Sequence, residues 1–299
     1  MAEGLALERS EIDETVDYIE EDTRPRTDWW AELRGVFWLV LAVLGFHSLI
    51  AKPFYIPSES MMPGLLVGDR LVVTKYPYGY SFVTPTFHLL PFMRGRVLGK
   101  LPERGDVVIV TPPGTTTDYI KRVIGLPGDR IAVRGGVVYL NGVAVPRQAM
   151  GERDIPVDAN TRCSRDQYGE SLVRVNGQRF CRVAIYRETL PGGLSYDTID
   201  MGVGMSRGDN YPETRIPRDR VFLMGDNRDN SADSRYPLLS AEGRPEGLGG
   251  PVPWENIGGR AEFITFSLDG SATWNPLTWG NSFRAGRAGT SLHPQRDDK

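Results

Sequence analysis

Residues 35–51, GVFWLVLAVLGFHSLIA, form an uncharged apolar run that constrains the chain more than any other segment. As a helix it spans about 25 Å, the short end for a bilayer crossing. Arg34 and Lys52 bracket it, and Trp29, Trp30 and Trp38 suit an interfacial aromatic belt. A buried globular helix is the alternative for such a run. The charged brackets and the tryptophans favour a single transmembrane helix over residues 34–52. A cleaved signal peptide fits poorly, because a long acidic region precedes the run and no small-x-small site follows it.

Residues 1–34 hold 11 Asp and Glu against 4 Lys and Arg, in a chain whose net charge is −3. Clustered acids and low hydrophobicity predict a solvated, disordered tail over 1–33. The remainder is too mildly basic to argue for a nucleic-acid partner. Arg24, Arg26 and Arg34 precede the span, whereas Lys52 stands alone until Arg70. That asymmetry predicts a cytoplasmic tail at the inner membrane and a main domain on the extracytoplasmic, periplasmic side.

After the span, β-branched runs appear at 70–74, 107–111, 119–124, 130–134, 137–140, 143–145, 172–175, 182–186, 220–224 and 261–266. Gly135-Gly136 and Asn141-Gly142 separate neighbouring runs by two residues, a hairpin signal. The expected fold is mostly β, with twisted antiparallel sheets making a barrel-like or sandwich core within a domain over 53–284. Within it, residues 147–217 are more charged and turn-rich and read as an inserted β-rich subdomain between core segments 53–146 and 218–284. Residues 239–250 read as a flexible loop and 285–299 as a polar tail. The aromatic, Pro-broken segment 76–93 fits either a packed loop or a surface dipping into lipid, to which Trp274 and Trp279 could contribute.

Cys163 and Cys181 both fall in the insertion. In an extracytoplasmic domain a disulfide between them is permitted, and it would add about 3 kcal/mol on the chain-entropy model. Two unrelated thiols are the alternative. Two Cys and three His argue against a dedicated zinc site, and nothing in the chain calls for a metal or cofactor.

Ser60 lies in Ile-Pro-Ser-Glu-Ser-Met-Met-Pro (56–63), nine residues beyond the apolar run. It can sit no more than about 30 Å from the bilayer edge. A Ser-His-Asp triad needs a histidine in the folded domain. The three available are His47 in the span, His88 in the Pro-rich segment and His293 in the tail. Another base must therefore activate Ser60 if it is a nucleophile. Lys121 is the best candidate. Strand alternation sets Tyr119, Lys121 and Val123 on one face and Ile120, Arg122 and Ile124 on the other. Apolar neighbours would desolvate the amine and lower its pKa; a snorkelling surface lysine is the plainer alternative. The polar run Gly225–Arg235 is either a network of turns or a support, with Ser231 orienting the lysine and Asp233 and Arg235 bracing it.

IPSESMMPGLLVGDRLVVTKYPYG, RGDVVIV, DYIKRVIGLPGD and GDNRDNSADSR, in this order after an anchor, resemble type I signal peptidase over about 53–145 and 220–264. The resemblance implies a membrane-bound Ser/Lys endopeptidase that removes signal peptides from secretory preproteins. It implies Ser60 as nucleophile, Lys121 as general base, and Ser58 with the Ser60 amide as oxyanion hole. Ser231, Asp233 and Arg235 would support the site, with Arg122 beside the lysine. Substrate would bind as an added strand, in pockets lined by Phe54, Ile56, Pro57, Met61, Leu65, Tyr119 and Ile120. Glu59, between the two serines, departs from a small residue also found there and is expected to point away from both hydroxyls. A binding scaffold without turnover, or a related maturation protease or self-cleaving regulator, are the rival readings. A regulator would need a DNA-binding module, for which the acidic tail offers no material.

Overall fold

The structure is a computed structural model and describes residues 28–85, 92–275 and 278–296. Most of the acidic tail and His88 lie outside the described residues. Helix α1 runs Trp29–Leu49 and meets the length and composition of one membrane span. It starts earlier than the apolar run because Asp28 caps it, its Oδ1 accepting from the amides of Trp30 at 3.0 Å and Ala31 at 3.2 Å. It ends before Lys52, which precedes Pro53 and is therefore biased to extended backbone. The chain divides into compact units at Leu41 and Ala42, and all that follows concerns the second, Ala42–Lys299.

Strands follow in chain order: β1 (Ala51–Tyr55), β2 (Asp69–Thr74), β3 (Val107–Val110), β4 (Tyr119–Gly125) and β5 (Arg130–Arg134). Next come β6 (Val137–Leu140), β7 (Val143–Ala144), β8 (Arg147–Pro156), β9 (Leu172–Val175) and β10 (Gln178–Leu190). The last are β11 (Leu194–Ile199), β12 (Tyr211–Arg215), β13 (Arg220–Met224), β14 (Val252–Pro253), β15 (Ile257–Ser267) and β16 (Gln295–Arg296). A four-residue helix, α2 (Arg165–Tyr168), precedes β9.

Seven strands form the main sheet in the order β1-β2-β15-β3-β4-β13-β14, with every pairing antiparallel. The hairpins expected at Gly135-Gly136 and Asn141-Gly142 join β5 to β6 and β6 to β7. All four turn residues have positive φ, from 54° at Asn141 to 84° at Gly142, which is why glycine and asparagine stand there. Inserted strands β8 to β11 make a separate sheet, in the order β11-β10-β8 with β9 also on β10, and C-terminal β16 joins it at β11.

Two boundaries differ from expectation. β12 leaves the insertion and pairs with β5, Thr214 opposite Ile131. The C-terminal segment is a strap rather than a loose tail: Leu292 is buried with Leu65, Leu71 and Ile264, and β16 pairs with β11. Arg284 donates to Asp158 Oδ2 at 2.6 Å, and Arg287 Nε donates at 2.9 Å to Asp69, which is fully buried. Apolar Leu292 and two ion pairs thus fasten a segment whose composition alone looks solvated.

Candidate active site

Ser60 follows β1 on a turn whose amides bond locally, Met62 N donating to Glu59 O at 3.0 Å. β4 holds Lys121 opposite Val108 of β3, and its side chain emerges beside Ser60. Lys121 Nζ lies 2.9 Å from Ser60 Oγ and donates to the Ile120 carbonyl at 2.9 Å. Both side chains are buried, Lys121 to 3% exposure. Burial lowers the Lys121 pKa to about 8; Asp233 and then Asp226 pull it back upward, and Arg235 adds to the fall. Ser58 Oγ stands 3.4 Å from Ser60 Oγ.

A lowered pKa does not by itself single out Lys121. Lys75, at the end of β2, is also buried and also falls to about 8, through burial and then repulsion from Lys52. What distinguishes Lys121 is the serine hydroxyl within hydrogen-bond reach.

The strand alternation expected for β4 holds around the lysine. Arg122 turns the other way and forks onto Asp226, with Nε to Oδ1 at 2.7 Å and Nη2 to Oδ2 at 2.6 Å. Burial opposes its charge, but Asp226 more than offsets that and keeps the guanidinium protonated. Arg235 grips Asp233 in the same way, at 2.9 Å through both Nε and Nη2. Burial raises the Asp233 pKa, yet Arg235 and the amides of Gly225 and Arg235 outweigh it and hold the carboxyl ionised. Two carboxylates, each paired with an arginine, therefore lie near an amine of lowered pKa without bonding to it.

Ser231 Oγ is buried and has no hydrogen-bond partner, so it does not orient Lys121 here. The Ile120 carbonyl and Ser60 hold the amine instead. Ser231 nonetheless lies close to the turn that carries Ser60, across Gly225. A Cβ on Gly225 would fall 2.2 Å from Ser231 Oγ and 2.5 Å from the Ser60 carbonyl, so only glycine fits between them.

A cleft of about 330 Å³ opens beside the two side chains, lined by Phe54, Ile56, Pro57, Tyr119 and Ile120 and also by Glu59, Asn230 and Ala232. Met61 and Leu65, expected in its walls, are each 1% exposed in the core beneath. The turn after Ser60 rotates them inward against Leu71 and Val107. β13 pairs with β4 only from Arg122 onward, which leaves that edge of Tyr119–Lys121 without a strand partner among the described residues. β1 likewise ends the sheet, paired only with β2.

Several residues escaped the sequence reading. Asp226 was foreseeable, since a buried Arg122 facing away from the lysine needs a counter-charge. Tyr168, 109 positions from Glu59, carried no signal; its OH donates to Glu59 Oε2 at 2.7 Å. Glu59 does turn away from the serines, but into a bonded cluster rather than into solvent. Cys163 and Cys181 are joined, with Cα atoms 5.4 Å apart.

A buried amine within hydrogen-bond reach of a serine hydroxyl, at an unpaired sheet edge, is an arrangement that serine hydrolysis could use. The chain belongs to the signal peptidase family, peptidase S26, which matches residues 29–266, and it is thereby a serine peptidase. It is 33% identical to signal peptidase I of Rickettsia typhi over 257 residues, covering 84% of this chain and 83% of that protein. Signal peptidase I of Rickettsia massiliae is 34% identical over 253 residues, 82% of this chain and 80% of its own length. Among solved structures, a signal peptidase I from Enterococcus faecalis V583 covers 54% of this chain and 97% of that chain. Its identity is 20% and its TM-score 0.26, too loose a likeness to bear on the fold.

Proposed function

We propose that the protein removes signal peptides from exported preproteins, with Ser60 as nucleophile and Lys121 as general base. The observation that carries this reading is the 2.9 Å contact between Ser60 Oγ and a buried amine of pKa about 8. Neutral Lys121 takes the hydroxyl proton as Oγ attacks the scissile carbonyl. The resulting ammonium protonates the departing amine. A water that gives its proton to the same lysine then hydrolyses the acyl-enzyme, and Ser60 regains its hydroxyl. The Ser58 hydroxyl and the Ser60 amide stabilise the oxyanion, each worth roughly 3 kcal/mol in the transition state.

Substrate enters as an extended strand between the free edges of β1 and of Tyr119–Lys121, its small side chains against Phe54, Ile56 and Tyr119. The disulfide and the charge asymmetry around α1 support an extracytoplasmic catalytic unit. Trp274, fully exposed, and Trp279, at 52%, flank a hollow with Phe266 and Phe283 and supply a lipid-facing edge. We assign the core to 53–146 and 218–284, with 147–217 as an insertion that gives β12 back to it. Detergent-solubilised protein is incubated with a preprotein carrying alanine at the −1 and −3 positions, beside Ser60→Ala and Lys121→Ala. Cleavage by the parent and by neither variant supports the dyad; undiminished cleavage by either variant refutes it.

A further inference from the structure

The turn carrying Ser60 is held from behind by groups that take no part in the chemistry above. Glu59 sends its carboxylate into the inserted segment, where Tyr168 OH donates to Oε2 at 2.7 Å. Asn230 Nδ2 donates to the same oxygen at 3.2 Å, and the Arg162 amide reaches Oε1 at 3.3 Å. Asn227 closes the cluster. Its Nδ2 donates to the Glu59 carbonyl at 3.2 Å and to Tyr168 OH at 3.0 Å, and its own amide donates to the Ser60 carbonyl at 3.1 Å.

Tyr168 is fixed in turn. It is 1% exposed and packs with Met62, Leu66, Ile155 and Val183, two of which lie just past Ser60. Burial, and then the Glu59 charge, raise its phenol pKa, so it remains an O–H donor across any working pH. The Cys163–Cys181 disulfide ties the loop bearing Arg162 and Tyr168 to β10. A surface carboxylate would not need three hydrogen bonds and a stapled loop. This one sits next to a hydroxyl whose distance from an amine decides whether a proton can transfer.

We propose that Glu59 and Tyr168 are positioning residues for Ser60, through which the inserted sheet sets the approach of Oγ to Lys121 Nζ. The proposal rests on Ser60 being the nucleophile. Glu59 borders the cleft, but most of the wall comes from residues 54–57 and 117–121, and Tyr168 does not line it, so substrate should still bind without these two side chains. Misplacing a reacting atom by about 1 Å costs on the order of 100-fold in rate.

The test uses the full chain in detergent and a preprotein with alanine at −1 and −3. Tyr168→Phe and Glu59→Ala should each lower kcat by roughly 10- to 100-fold, with KM within about twofold of the parent. Glu59→Gln keeps an acceptor for Tyr168 and should stay within about threefold of the parent kcat. Ser60→Ala is run alongside: if it still cleaves, the nucleophile assignment fails. With Ser60→Ala inactive, an unchanged kcat in both Tyr168→Phe and Glu59→Ala overturns the positioning role. A loss carried by KM alone overturns it too, as does a Glu59→Gln defect equal to that of Glu59→Ala.

Discussion

Lys121→Met keeps the length of the side chain and deletes its charge, and the burial of the site sets how much stability this releases. The amine falls from its ordinary 10.5 to about 8, a bias of about 3 kcal/mol at roughly 1.4 kcal/mol per unit. Below pH 8 the folded protein carries a protonated, desolvated amine and the penalty is complete. From 8 to 10.5 the folded amine is neutral while the unfolded one keeps its proton, so stability rises with pH and the penalty shrinks. Urea unfolding at about pH 6.5 should therefore favour the variant by about 3 kcal/mol, and at about pH 9.5 by only about 1.4 kcal/mol. Lys75, also near 8, contributes the same slope to both proteins and cancels in the difference. The variant should be inactive at every pH. In the parent the neutral fraction climbs from about 9% at pH 7 to about 91% at pH 9, so kcat/KM should rise about tenfold. A stability difference that ignores pH, or an activity maximum near pH 5, would refute the reasoning.

Three further outcomes follow from the geometry. Gly225→Ala should lower kcat on the order of 100-fold while the protein still folds, because the new methyl group displaces Ser231 or the Ser60 carbonyl; near-parent turnover would contradict that close approach. Asp226→Ala strands a buried Arg122 and should cost about 3–5 kcal/mol, read as a lowered Tm. Ending the chain at residue 284 leaves fully buried Asp69 without Arg287 and uncovers the Leu292 site. It should destabilise the domain by several kcal/mol, roughly the cost of breaking one buried pair, and an unchanged Tm would show the strap to be dispensable.

Local chemistry was legible in the chain. Period-two alternation and two-residue glycine turns place β2 to β7 nearly where they fall, because both depend on neighbours only a few positions away. Strands without apolar runs were missed: β8 is mostly exposed, and β12 is recognisable only by its pairing with β5. The apolar run 35–51, the absence of a usable histidine and the setting of Lys121 among Tyr119 and Val123 are properties of short segments. They made an amine the expected base for Ser60, were that hydroxyl a nucleophile.

Only tertiary structure decided how that amine meets the hydroxyl, since Ser60 and Lys121 are 61 positions apart. It also decided which carboxylates are spent on arginines, turned Met61 and Leu65 inward, and folded the polar C-terminal segment back as a strap. Arg287 reaches Asp69 across 218 positions, and Tyr168 reaches Glu59 across 109. No periodicity encodes such contacts. They arise because a buried charge or phenol must find a partner, and only the folded arrangement of loops and strands determines which one is near.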